Sequence, residues 1–288
     1  LRKQVECRIE PLSVAESIAD RLGETEGVVA VALGGSRARG TAEKGSDVDL
    51  GIYYRSSRPP AVKFFRRLAR DLHSDNSPPE VTDFGEWGPW VNGGAWLQIR
   101  GLKVDWLYRE LERVTNVVED CFRGAVTCDY YLGHPHGFHN HIYLAEIHYC
   151  RPLHDPFGIL GELKKSVAVY PREMKRALVA RFLYDANFML ELARPTASRG
   201  DVFHVSGCLF RCAAALVQVL FALNETYFMN EKGALGAADS FSIKPAAFSG
   251  RITAILISPD ERLRALQARL DEMAALITET RSLAKLRP

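Results

Sequence analysis

The residues best suited to chemistry fall in one short stretch, Gly34-Gly35-Ser36-Arg37-Ala38-Arg39-Gly40 followed by Ser46-Asp47-Val48-Asp49-Leu50. Two aspartates one residue apart repel each other unless a cation sits between them. A hard divalent cation such as Mg²⁺ takes oxygen ligands, and it commonly binds one or two carboxylates together with substrate phosphates. The glycines allow a tight turn and a close approach of backbone to ligand. A helix starting at that turn, with Ser36 as its expected cap, points free N–H groups at one spot, and such helix starts bind anions. A lone Asp-x-Asp is common and is usually a solvated pair. Beside a Gly-Ser turn it has the makings of a metal–triphosphate site.

Two strands must position these groups. Residues 28–33 read VVAVAL, an apolar, β-branched run typical of a buried strand, and DVDLGIYY from Asp47 reads as a second. Alternation along that second strand puts Asp47 and Asp49 on one face and Val48, Leu50 and Ile52 on the other. Other phosphate motifs fit worse: no Lys-Ser/Thr follows the glycines, as a P-loop needs, and there is no G-x-G-x-x-G.

Gly35-Ser36, ten residues, then Asp47-Val48-Asp49-Leu50 resembles the signature of the DNA polymerase β-like nucleotidyltransferase superfamily. Within it the chain resembles the aminoglycoside (antibiotic) nucleotidyltransferase-like branch. The resemblance implies an α/β fold, a small mixed-sheet nucleotidyltransferase core followed by a C-terminal α-helical bundle. It also implies transfer of a nucleoside monophosphate, AMP in the first instance, from a nucleoside triphosphate such as ATP to an acceptor hydroxyl, with release of pyrophosphate. Asp47, Asp49 and a third carboxylate on an adjacent strand would hold two Mg²⁺ ions. Gly34, Gly35 and Ser36, with Arg37 or Arg39, would bind the triphosphate. Asp105 matches the third place, because it interrupts an otherwise apolar strand pattern, Leu102 to Tyr108, where an unpaired acid is expensive. Asp83 and Glu86 are rivals in the preceding loop, and an ion pair with Arg109 is the structural alternative for Asp105.

Elsewhere the signals are weaker. Residues 11–22 have amphipathic helical spacing, with Ser13 and Glu16 as a capping box. Another helix follows Pro59-Pro60, with Lys63, Arg66, Arg67 and Arg70 on its outer side, most simply a solvated face. The loop from Ser74 to Gly94 carries Trp87 and Trp90, either as a pocket wall or as plugs on the core. Six of the eight histidines lie between His134 and His154 without zinc-like spacing, so a cleft-lining loop with hydrogen-bonded histidines is expected over a metal site. Glu146, among apolar neighbours, is a candidate general base if desolvation lifts its pKa, with an Arg or His partner as the alternative. Helical patterns run from Arg172 to Ala193, from Val202 to Leu223 with Arg211 in the middle of an apolar helix, and onward from Ser258-Pro259. Between the last two, Tyr227, Asn230, Glu231 and Lys232 form a polar cluster, and Lys232 is a candidate nucleotide contact.

The expected division is 1–125 catalytic domain, 126–170 connecting and cleft-lining segment, and 171–288 helical bundle. Apolar content of 47%, charged content of 25% and a formal net charge of +2 fit a globular protein without a general pull on polyanions. The resemblance implies a nucleoside triphosphate and a small hydroxyl-bearing acceptor as partners, with aminoglycosides among the candidates, and the charge balance speaks against nucleic acid. No apolar run is expected to reach membrane-spanning length, and no secretion-type hydrophobic segment is expected in residues 1–10. Six cysteines without a C-x-x-C pair fit a reducing cytoplasm. An RNA-terminal nucleotidyltransferase and a non-catalytic nucleotide-binding interaction protein are the competing classes.

Overall fold

The structure, a computed structural model, describes residues 10–257 and 263–285. Its elements in chain order are α1 (Pro11–Gly23), β1 (Val28–Leu33), α2 (Gly35–Arg39), β2 (Val48–Tyr54), α3 (Val62–Leu72), β3 (Glu80–Val81), β4 (Gly94–Ile99), β5 (Leu102–Glu110) and α4 (Leu111–Phe122). There follow β6 (Cys128–Tyr131), β7 (His134–His139), α5 (Ile142–Tyr149), β8 (Arg151–His154), α6 (Ile159–Ser166), α7 (Arg172–Ala197), α8 (Val202–Leu223), α9 (Ala234–Asp239), α10 (Phe248–Ile257) and α11 (Leu263–Lys285). The architecture is mixed α/β, a mixed sheet with helices followed by C-terminal helices.

The chain forms two compact units. The first comprises the described residues up to Val117 together with Glu146–Ala168, and the second comprises Val118–Ala145 with the described residues from Val169 onward. The segment 126–170, expected as a connector, is thus shared between the units and is largely regular structure rather than loop. Its first part is the β6–β7 hairpin of the second unit, while β8 returns to the edge of the first unit's sheet beside β1. The ambiguous run after it, Ile142–Tyr149, is helical.

In the first unit the strand order is β3-β4-β5-β2-β1-β8. β2 and β5 run parallel, and the other neighbours are antiparallel. Arg100 and Gly101 close the β4–β5 hairpin with φ of 52° and 80°, the left-handed pair that a tight hairpin turn uses. One sheet face is apolar: Val48, Leu50 and Ile52 of β2 and Val104, Trp106 and Tyr108 of β5 pack with Ile18 and Leu22 of α1 and Phe65 of α3. Each fully buried Val, Leu, Ile or Phe contributes about 1.5–3 kcal/mol. A one-residue slip of β2 would carry Asp49 into that core and expel three apolar side chains, so packing on one face fixes the register of the acids on the other.

Helix α1 is capped by Glu10, whose carboxylate accepts from the N–H groups of Leu12 and Ser13 at 3.0 and 3.1 Å. The helix therefore begins earlier than a Ser13 cap would allow, with Pro11 in its first turn where a missing N–H is harmless.

In the second unit α7, α8 and α11 pack together, with α8 buried nearly all round from Cys212 onward, as its composition anticipates. Arg211 lies just before that stretch, is exposed, as are Phe203 and Gly207, and needs no buried partner. Contrary to expectation, α8 is long and apolar enough to cross a membrane by length and composition, but 72% of its apolar window is buried within the protein, as in a core helix. Helix α10 was not anticipated. The expected helix start at Ser258-Pro259 lies outside the described residues.

Candidate active site

The acids cluster because of sheet register. Asp49 of β2 stands directly opposite Asp105 of the parallel neighbour β5, and Asp47 lies one residue before β2. Adjacent strands are about 4.8 Å apart, so these carboxylates are neighbours on the face that the core does not occupy. Electrostatics agree: burial first, then the charges of Asp49 and Asp47, push the Asp105 carboxyl up to about 6, with Lys103 pulling the other way. Arg109, the structural alternative as a partner for Asp105, is engaged elsewhere.

The Gly-Ser turn is built against Asp49. Gly34 N–H donates to the Asp49 carbonyl at 2.8 Å. Gly35 has φ +61°, and a Cβ there would fall 1.8 Å from Asp49 Oδ2. Only glycine leaves that carboxylate its place. Contrary to expectation, Ser36 is not the cap of α2: Gly34, which has no side chain to offer, takes that position, and Ser36 lies inside the helix. The two arginines also divide. Arg37 Nε donates to the Asp47 carbonyl at 2.9 Å, and its Nη2 donates to the Ser46 carbonyl, so it braces the chain entering β2 rather than presenting a spare guanidinium. Arg39 keeps a buried Nε without a hydrogen-bond partner, which leaves it the better suited of the two to an anion.

Of the two sequence readings of Glu146, an isolated, desolvated base or an acid with an Arg or His partner, the structure matches the second. The Glu146 oxygens accept from Arg109 Nε and Nη2 at 2.9 and 2.8 Å, a bidentate pair in which Arg109 is 3% exposed. A guanidinium buried that deeply needs a counter-ion, and Glu146 of α5 is it. The rival acids are also committed: Asp83 pairs with Arg66 at 2.9 Å, and Glu86 accepts from Asp83 N–H at 2.9 Å. Lys232 belongs to the second unit, in the turn before α9.

The histidine-rich segment departs from the expected hydrogen-bonded loop. His136, His139 and His141 are buried in the second unit, and the His139 Nδ1 and His141 Nε2 atoms have no hydrogen-bond partner. Burial lowers all three pKa values, to about 4 for His136 and about 3 for His141, which keeps the rings neutral. His134 pairs with Glu231 at 3.3 Å. Among the described residues no three His, Cys, Asp or Glu side chains are arranged to close on one metal ion, here or at the aspartates. At the aspartates a three-residue cage is not required, because Mg²⁺ keeps waters and substrate phosphates among its ligands. Two or three carboxylates brought side by side by the strand register fit that ion.

Sequence reasoning missed Trp96. It lies across β4 from Asp105 on the same face, half exposed, with Trp87 stacked on it. The signal was present in the alternation of Trp96 and Gln98 with buried Ala95, Leu97 and Ile99. Of the two loop tryptophans, Trp90 is the buried plug.

Residues 15–123 match the model of the nucleotidyltransferase domain, which contains the Gly-Ser turn and all three aspartates. Residues 139–232 match a domain of unknown function, DUF4037. A nucleotidyltransferase-like protein from Exiguobacterium sibiricum 255-15, of known crystal structure, aligns over 93% of this chain and 74% of its own at 12% identity, with a TM-score of 0.46. No curated protein matches the chain. The domain match supports a transferase enzyme whose general role is nucleotidyl transfer.

Proposed function

We propose that the protein transfers a nucleoside monophosphate, AMP in the first instance, from a nucleoside triphosphate to a hydroxyl of a small acceptor, an aminoglycoside-like compound being the leading candidate. The acceptor hydroxyl gives its proton to water, its oxygen bonds to the α-phosphorus as the bond to the β-phosphate bridge breaks, and pyrophosphate leaves. The observation carrying this reading is the register of Asp49 against Asp105 beside the Gly34–Gly35 turn. Asp47, Asp49 and Asp105 would hold two Mg²⁺ ions, which supply activation of the acceptor oxygen and neutralisation of the leaving group. Gly34, Gly35 and Ser36 offer backbone to the triphosphate, and Arg39 adds a cation. Arg37 fixes the approach of Asp47 to β2. Glu146 acts through Arg109, holding β5, and does not serve as the base. In phosphoryl-type transfer the protein chiefly positions groups and stabilises charge, so this constellation is sufficient.

A labelled-ATP assay with Mg²⁺ should label amino sugars and release pyrophosphate, and Asp105→Asn should abolish both while leaving the circular-dichroism spectrum unchanged. Salt-sensitive labelling of tRNA-sized RNA with no labelled small acceptor would overturn the choice of acceptor.

A further inference from the structure

The row of side chains that holds the aspartates continues across the sheet. Asp49 faces Asp105, Asp105 faces Trp96 of β4, and Trp96 faces Glu80 of β3. At one end of this row is the Gly34–Gly35 turn, bonded to Asp49. In-line displacement requires the attacking oxygen and the leaving pyrophosphate on opposite sides of the α-phosphorus. With the triphosphate tail at the glycine turn, the attacking oxygen arrives from the far end, over Asp105, and the body of the acceptor lies over Trp96 and Glu80.

That end is shaped for a ring. Trp96 is 51% exposed, and Trp87 stacks on it with ring centroids 4.6 Å apart and planes 24° apart. The stack depends on Gly94, where a Cβ would lie 3.0 Å from Trp87 Cζ3 and 1.7 Å from the Trp106 carbonyl oxygen. Single exposed apolar residues need no explanation. Two stacked indoles in line with an acidic row are a different matter, because an indole presents a flat, electron-rich face that attracts C–H groups and cations. Glu80, exposed on the outer strand, adds negative charge beyond the ring.

We propose that Trp96, held by Trp87, is the platform on which the acceptor lays a saturated sugar-like ring, with an ammonium group of that ring directed toward Glu80. The substrate class is a small cyclic amino-polyol. A nucleic-acid end is disfavoured, because its phosphates would meet Glu80. This inference deepens the transfer reading and takes from it the side on which the acceptor enters, but its binding test needs no turnover.

The probe is neamine, a two-ring amino sugar, with metal and nucleotide absent. Irradiation of the protein's aromatic protons should transfer saturation to neamine ring protons in the wild type, in Trp96→Phe and in Asp105→Asn. Trp96→Ala should lose it, with folding checked by circular dichroism. Glu80→Gln should weaken neamine about 3–10-fold while leaving its small response to uncharged methyl glucoside unchanged. In the Mg²⁺-ATP assay Trp96→Ala should raise the acceptor KM roughly 5–10-fold and leave the ATP KM unchanged. Equal saturation transfer in the wild type and Trp96→Ala, no transfer to neamine at all, or transfer only to adenosine would each overturn the proposal. Pyrophosphate release with acceptors that ignore Trp96 would sink this inference and spare the transfer reading. Neamine bound on Trp96 without any nucleotide turnover would do the reverse.

Discussion

Two charged positions on the same sheet face have opposite fates. Asp105 and Arg109 are four residues apart on β5 and point the same way, yet only the arginine has found a counter-ion. Glu146 meets Arg109 with two short bonds, and the pair is electrically closed. Asp105 faces Asp49 across the strand pair, and burial first, then the neighbouring aspartates, raise its pKa instead of lowering it. A protein under selection for stability alone would not keep the second arrangement, since like charges in a half-buried place cost free energy. The difference separates a structural ion pair from the cluster proposed to hold a cation and an anionic substrate.

The largest expected effect tests whether Asp49 must stay where the glycine turn puts it. Gly35→Ala places a Cβ on the Asp49 carboxylate and also asks alanine to hold φ near +61°. Nucleotidyl transfer should fall about 100-fold or more, because displacement of a reacting constellation by an ångström costs that much. A steady-state pyrophosphate assay reads it, and near-wild-type turnover would show that the carboxylate position is not tightly set.

The closed pair is tested through stability. Glu146→Ala strands a buried guanidinium, and because Glu146 is a quarter exposed the cost should fall near the lower end of the usual range, about 3 kcal/mol. Thermal unfolding should drop by roughly 10 °C. Arg109→Met with Glu146→Leu should recover most of that loss. If Glu146→Ala left the melting temperature unchanged, the pair would not be the structural clamp described here.

The open cluster predicts the reverse sign. Asp105 in the folded protein holds its proton up to about pH 6, against an ordinary value of 3.8. Between those values the folded state binds more protons than the unfolded chain, so metal-free stability declines as pH rises through the window and levels off above it. Removing the charge with Asp105→Asn should therefore stabilise the chelated protein at pH 7.5, by on the order of 2 kcal/mol, and confer little at pH 4. Melting curves in chelator at the two pH values measure this. A destabilised variant at pH 7.5 would mean that the carboxylate has a partner after all.

Much of the site was legible before any coordinates. A strand, a Gly-Ser turn and Asp-x-Asp on a second strand are local patterns, and alternation alone placed Asp49 opposite the apolar face. Asp105 was legible because an acid in an apolar strand costs free energy and demands a reason. The same argument applied to Glu146 left two readings open: burial shows that a charge needs a partner, and only the fold says whether that partner is a protein guanidinium or a ligand. Arg37 and Arg39 could not be told apart either, since they sit in one five-residue helix and differ only in what faces them.

What the sequence by itself determined was short-range: strand and helix periodicity, the glycine turn, and the face on which each side chain stands. Tertiary structure alone decided the long-range pairings, which depend on strand order and register. It brought β5 beside β2 so that Asp105 met Asp49, returned the chain so that Glu146 closed on Arg109, and set Trp96 next to Asp105. Local propensity reaches a few residues along the chain. The neighbours of a side chain across a sheet are chosen by burial of the opposite face, which no single segment encodes.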